Sequence, residues 1–150
     1  MRLVDVYPYC EEQNRVHHLI FKRSSDVIYS QQWRMIGGKV KDGEKVYEAA
    51  EREFKEETAL IASSIWTIPS VNSFYEYQSD TVHHIPAFAA EIDSKAKPEL
   101  NHEYSDWKWI TIDKIDHFIV WPEQQRLMKL LTSIIKNNQI LEEWIIKAKR

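Results

Sequence analysis

Apolar and polar residues alternate in Leu3-Val4-Asp5-Val6-Tyr7, which predicts a first strand, with Pro8 marking its end at an edge or bulge. His18 to Arg23 predicts a second strand, and Ser24 to Ser30 reads as a loop. The short piece Trp33-Arg34-Met35-Ile36 then delivers the chain to Gly37-Gly38, and Asp42-Gly43 is a turn signal. From about Lys45 to Thr58 the period becomes helical, with Val46, Ala50 and Phe54 as the buried stripe. Two longer strands follow, Ile65 to Tyr77 and Val82 to Ile92, joined near Gln78-Ser79-Asp80. After a loop over Asp93 to His102, a strand at Trp107 to Ile110 leads into a helical turn around Ile112 to Phe118. Pro122 suits the first turn of a helix carrying Leu127, Leu130, Leu131, Ile134 and Ile135. A last helix is expected over Ile140 to Lys147, with Leu141, Trp144 and Ile145 on one face. This order fits an α/β fold, a mixed sheet flanked by helices.

The chain has 150 residues, one domain's worth, so residues 1–150 are expected to form a single domain. A net charge of −3 without a long basic block argues against a general nucleic-acid binder. The lone cysteine, Cys10, has no internal disulfide partner and fits a reducing compartment, as a packed thiol rather than a nucleophile. The N-terminal residues lack a signal-type apolar run, and no segment is long enough to span a bilayer. A soluble cytoplasmic protein without membrane partners is the expectation.

The chemistry concentrates after Gly38. At helical spacing Glu53, Glu56 and Glu57 stand at i, i+3 and i+4, so their carboxylates leave one side of one turn. Like charges so placed repel unless a cation sits among them, and clustered hard oxygen ligands suit Mg2+ or Mn2+. A charge-rich helix can equally be a solvated face. That reading leaves Gly37-Gly38 and the position of Arg52 unexplained.

Gly38, Glu44, Arg52, Glu53, Phe54, Glu56, Glu57 and Leu60 fall in register on a known box. It reads Gly, five residues, Glu, seven residues, then Arg-Glu-apolar-any-Glu-Glu-any-Gly-apolar. In this the chain resembles the Nudix hydrolases. One position departs: Ala59 stands where the family usually has glycine, and a left-handed helix end would be uncomfortable for alanine.

The resemblance implies an α/β/α sandwich and metal-dependent hydrolysis of a phosphoanhydride, with Mg2+ or Mn2+ as cofactor. It implies Glu53, Glu56 and Glu57 as metal ligands, the Gly38 carbonyl completing the shell, and Arg52 orienting Glu56. Glu44 is expected to stabilise the loop. Asn101-His102-Glu103-Tyr104 resembles a loop segment of the branch acting on deoxyadenosine or dihydroneopterin triphosphates, which makes Glu103 a further metal ligand or the proton acceptor. Trp107-Lys108-Trp109 and Trp121 to Arg126 also look like that branch.

A nucleotide-type small molecule is therefore the expected partner, a nucleoside or pterin triphosphate cleaved to monophosphate and pyrophosphate. ADP-ribose, a dinucleoside polyphosphate or a nucleotide sugar is the rival substrate. A non-catalytic nucleotide-binding module is the rival from another class. Lys22 and Arg23 are candidates for substrate phosphate, and Trp33, Phe74, Tyr75 and Tyr77 for stacking on a base. The pairs His17-His18 and His83-His84 read as ordinary surface or hydrogen-bonded histidines. Trp33, Trp66 or the C-terminal helix are candidate faces of a homodimer.

Overall fold

The first strand, β1 (Leu3–Glu12), does not stop at Pro8 but runs straight through it in the computed structural model, which describes residues 2–147. Pro8 is tolerated because of where it falls. On one edge Leu3 to Val6 pair with one strand and Tyr9 to Glu12 pair with another, so the missing N–H lies between the two ladders. Those partners are β4 (Ile36–Lys39) and β2 (Arg15–Arg23), both antiparallel to β1. The two-residue β3 (Trp33–Arg34) pairs with β2, so the chain crosses this fork at Met35.

The other edge of β1 pairs in parallel with β6 (Thr81–Glu91), which forms a long hairpin with β5 (Ser64–Glu76). β7 (Tyr104–Thr111) closes the far edge of β2. The result is a seven-stranded mixed sheet with α1 (Val46–Thr58) on one face. α2 (Ile115–Phe118) and α3 (Pro122–Lys136) cover the other. This is the α/β/α sandwich.

Side chains alternate across the central strands and feed two cores. Val4 and Val6 face α1 and pack with Ile36, Ala50 and Phe54. Tyr7 and Tyr9 face α3 and pack with Met35, Trp66, Leu127 and Leu131. Trp66 also donates its ring N–H to the Tyr9 hydroxyl at 2.9 Å, which satisfies a buried donor. On the same face the buried His18 ring lies 2.7 Å from the Thr132 hydroxyl, a structural role. No helix among the described residues is long and apolar enough to cross a membrane.

The expected last helix does not form. Residues 140–147 contain a single 3-10 turn at Glu142–Trp144, after which Ile145 bridges Trp66 and the Ile146 N–H donates to the Ile65 carbonyl at 2.8 Å. An eight-residue segment is too short to be a stable helix by itself, whereas the edge of β5 offers unpaired backbone groups. Trp144 stacks on Trp66 with ring centroids 6.3 Å apart, so the apolar face is used from an extended segment.

α1 ends as its sequence warns. Ala59 takes φ 60, the left-handed conformation, and its N–H caps the Lys55 carbonyl at 2.8 Å. A Cβ there costs about 1 kcal/mol relative to glycine. Ala59→Gly is therefore expected to raise Tm by roughly 2–4 °C without altering the acidic turn upstream, a shift that thermal unfolding followed by circular dichroism will read.

Candidate active site

Four residues of β4 and one turn of α1 define the centre of the site. Because strand positions alternate, Gly38 faces α1 and Gly37 faces α3. A Cβ on Gly38 would lie 2.2 Å from Glu53 Cδ, so glycine is required for the Glu53 carboxylate to lie against the strand. A Cβ on Gly37 would meet Asp5 Oδ1 at 3.3 Å. The paired glycines thus open space on both sides of one strand.

Arg52 organises the acids. It donates to Glu44 through Nε (2.7 Å) and Nη2 (2.9 Å), to Glu53 (3.0 Å), to Glu56 (3.2 Å) and to the Lys39 carbonyl (2.9 Å). Glu44 also accepts from the Lys41 N–H, which closes the turn before the helix. The Arg52 hydrogen bond, then the Lys41 N–H, hold the Glu44 carboxyl down to about 2. Glu44 is a loop fastener, as the sequence suggests.

Glu57 is the unusual residue. Its side chain is buried, one oxygen accepts from the Tyr104 hydroxyl at 3.0 Å, and Oε2 has no hydrogen-bond partner. Burial first, then the adjacent Glu103 and Glu53 carboxylates, hold its pKa far above the carboxylate range. Glu103 enters from the loop before β7, fixed by Asn101 on both its N–H and its carboxylate, with Arg23 Nη1 at 3.9 Å. The fold therefore gathers Glu53, Glu57 and Glu103, while the half-exposed Glu56 turns toward Arg52. Among the described residues no three acidic, His or Cys side chains converge closely enough, as they stand, to hold a metal ion. Arg52 and Tyr104 hold the carboxylates instead. A divalent cation nonetheless suits the chemistry of this set: the donors are hard oxygens, and the buried Glu57 Oε2 has no hydrogen-bond partner. Glu53, Glu57, Glu103 and the rotatable Glu56 are the side chains that could hold it.

A cleft of about 230 Å³ opens beside the acids, at the fork between β1 and β2. Gly37, Gly38, Arg23 and Tyr104 line its acidic side. Tyr29, Phe74 and Trp121 supply aromatic walls, with Tyr29 and Phe74 within 5.7 Å of Trp121. Arg34 lies over Tyr29 at 4.3 Å and over Trp121 at 5.4 Å. The sequence reasoning missed Arg34, Tyr29 and Gln124, since nothing in composition or period marks them as neighbours.

Of the six expected substrate contacts, Arg23 and Phe74 line the cleft. Trp33 packs edge-on against Phe118 and takes the Lys108 ammonium on its face, while Lys22 pairs across to Trp33 and Asp106. Tyr75 points outward and bonds Asp80 across the hairpin; its neighbour Phe74, one position away, is the ring that turns inward.

Asp5 forms the floor. It is buried, accepts from Asn72 Nδ2 at 3.0 Å, and burial pushes its pKa up to about 6, against the opposing effects of Asn72 and Arg34. A raised carboxyl favours the fold most when protonated. Its contribution is complete below the unfolded value of 3.8 and is lost as pH rises through about 6. The loss amounts to roughly 3 kcal/mol. Asp5→Asn keeps the Asn72 bond and is expected to flatten the fall in denaturation midpoint between pH 4 and 7. An unchanged slope would show that another group titrates.

Comparison with known proteins agrees with this geometry. The NUDIX domain family model matches residues 2–131. The nucleoside triphosphatase NudI of Klebsiella pneumoniae (strain 342) is 25% identical over 114 residues, 71% of this chain and 81% of that protein. A crystal structure from Listeria monocytogenes assigned to the Nudix hydrolases superposes with a TM-score of 0.78 at 21% identity, covering 92% of this chain and 96% of that one. The Caenorhabditis elegans Ap4A hydrolase binary complex gives 0.75 at 18% identity, with 91% and 98% covered. With the family model spanning most of the chain and the glycine-to-acidic-helix box folded in register, this chain belongs to the Nudix family.

Proposed function

We propose that this single-domain protein is a divalent-metal-dependent pyrophosphohydrolase that cleaves a nucleoside triphosphate to the monophosphate and pyrophosphate. The chain is a Nudix hydrolase acting on phosphoanhydrides; the metal, the product pattern and a cytosolic location are the finer parts of the reading. One observation carries it. Glu57 is a buried carboxyl with an unpartnered oxygen, beside Glu53 and Glu103, and its other oxygen accepts from Tyr104, which lines the aromatic cleft. The similarity to a nucleoside triphosphatase favours a triphosphate over other phosphoanhydrides.

A bound Mg2+ or Mn2+ would neutralise phosphate charge and acidify a bound water. The protein's own part is positional. Glu53 and Glu57 are held at fixed places by Arg52 and Tyr104, and the half-exposed Glu56, bonded to Arg52, would turn toward the other acids to share a cation. Arg23 faces the cleft and can donate to phosphate oxygens. Glu103, fixed by Asn101 beside Glu57, would accept the proton as the water oxygen bonds to phosphorus and the bond to the departing pyrophosphate breaks.

Incubating the protein with nucleoside and pterin triphosphates, ADP-ribose, a dinucleoside polyphosphate and a nucleotide sugar, each with Mg2+ or Mn2+, then resolving the phosphorylated products, tests the proposal. Pyrophosphate plus monophosphate is expected. Two phosphorylated fragments from ADP-ribose, a dinucleoside polyphosphate or a nucleotide sugar, without pyrophosphate, would replace it by the rival hydrolase. No turnover with either metal would favour a binding module.

A further inference from the structure

Gln124 is the least explained polar residue in the molecule. It sits in the first turn of α3, is 1% exposed, and both its amide oxygen and amide nitrogen lack a hydrogen-bond partner. Leaving a buried amide unpaired costs stability, so a side chain placed this way is selected for something other than folding. It lines the cleft, and so does Arg34, whose guanidinium makes no side-chain hydrogen bond or ion pair among the described residues. Arg34 is held by ring faces alone, Tyr29 and Trp121, with Asp5 as its nearest countercharge. Unsatisfied hydrogen-bonding groups inside an aromatic pocket, next to a phosphate-cleaving centre, are what reading a nucleobase requires.

The donor and acceptor inventory narrows the base. Gln124 offers one donor face and one acceptor face side by side, so it pairs with any edge carrying a donor next to an acceptor. Arg34 offers donors only. A base with a carbonyl beside a ring N–H satisfies both, since the carbonyl oxygen accepts from Gln124 and Arg34 while the N–H donates to Gln124 Oε1. A base with an exocyclic amine at that place sets donor against donor at Arg34. We propose that Gln124 and Arg34 form a base-reading subsite that selects carbonyl-edged bases (guanine, hypoxanthine, uracil, thymine) over amine-edged adenine and cytosine. This rests on the triphosphate reading for the identity of the ligand, and on the orphaned amide for its place.

Calorimetric binding of dGMP, dTMP, dAMP and dCMP without divalent metal, paired with kcat/KM for the four triphosphates with Mg2+, tests it. The expected result is a preference of about tenfold or more for carbonyl-edged bases in both assays. Gln124→Leu is expected to collapse that preference to within about threefold while leaving Tm unchanged or higher, because it removes an unpaired buried amide. Arg34→Met, which keeps an apolar stem between Tyr29 and Trp121, is expected to do the same by raising KM rather than lowering kcat. Equal binding of all four monophosphates, a preference for amine-edged bases, or no binding of any would overturn the subsite. So would a base preference that survives both substitutions. Selective monophosphate binding without triphosphate turnover would instead leave the subsite standing and sink the hydrolase reading.

Discussion

Glu57→Gln is expected to lower kcat/KM by roughly two to four orders of magnitude while making the metal-free protein more stable. The opposite signs follow from one environment. Glu57 is buried, faces Glu53 and Glu103, and leaves one oxygen unpaired. A glutamine there keeps the bond from Tyr104 and gains an amide donor where carboxylates crowd, which relieves an unpaired buried group worth about 1–3 kcal/mol. The same change deletes an anionic ligand from a site whose proposed metal supplies several kcal/mol of transition-state stabilisation. The sign with pH is also fixed. A carboxyl raised in the fold stabilises most when protonated, so its contribution fades as pH rises above the ordinary 4.5 toward the folded value. The Tm advantage of Glu57→Gln should therefore widen from pH 5 to pH 8, and the Tm rise that Mg2+ or Mn2+ gives the parent should shrink in the variant. A variant that is both active and metal-stabilised would remove Glu57 from the chemistry.

Gly38→Ala is expected to cost about 100-fold or more in kcat/KM, with a loss of about 1–3 kcal/mol in stability. The new methyl would stand 2.5 Å from Glu53 Cγ and Oε1 and closer still to Cδ, an overlap that something must relieve. β4 is held in register against Val4, and Glu53 is held by Arg52, so neither yields freely. Gly43→Ala is the control. Gly43 has φ +78 with open space around it, so alanine there is expected to cost about 1 kcal/mol by backbone strain and to leave turnover intact. Equal loss of activity in both variants would mean that the loop, not the fit of Glu53 against the strand, governs the reaction. Thermal melts and steady-state kinetics on the two proteins separate these outcomes.

The elements that announce themselves by period were readable from the chain. The stripe Val46, Ala50, Phe54 placed α1 within a residue, and Pro122 marked the start of α3. What failed was context that only a partner strand supplies. Pro8 ends a strand unless two different neighbours share its edge, and residues 140–147 make a helix unless a free strand edge takes them. The site divides in the same way. The family's box marked the acidic turn, Arg52 and Gly38, since those residues lie close together along the chain. The cleft draws Asp5, Arg34, Asn72 and Gln124 from β1, β3, β5 and α3, far apart in sequence, and no local pattern links them. Telling the inward-facing Phe74 from Tyr75 and Tyr77 needed the strand's facing, which a run of three aromatics in four residues obscures.

Gly37 and Gly38 carry a consequence for how such a chain can change over generations. One thin strand works as a partition, with the acidic turn behind it and the aromatic cleft in front. Substitutions on the α3 side can retune which molecule is accepted while the acidic turn is inherited intact. New preferences can thus arise in small steps, each leaving a working hydrolase.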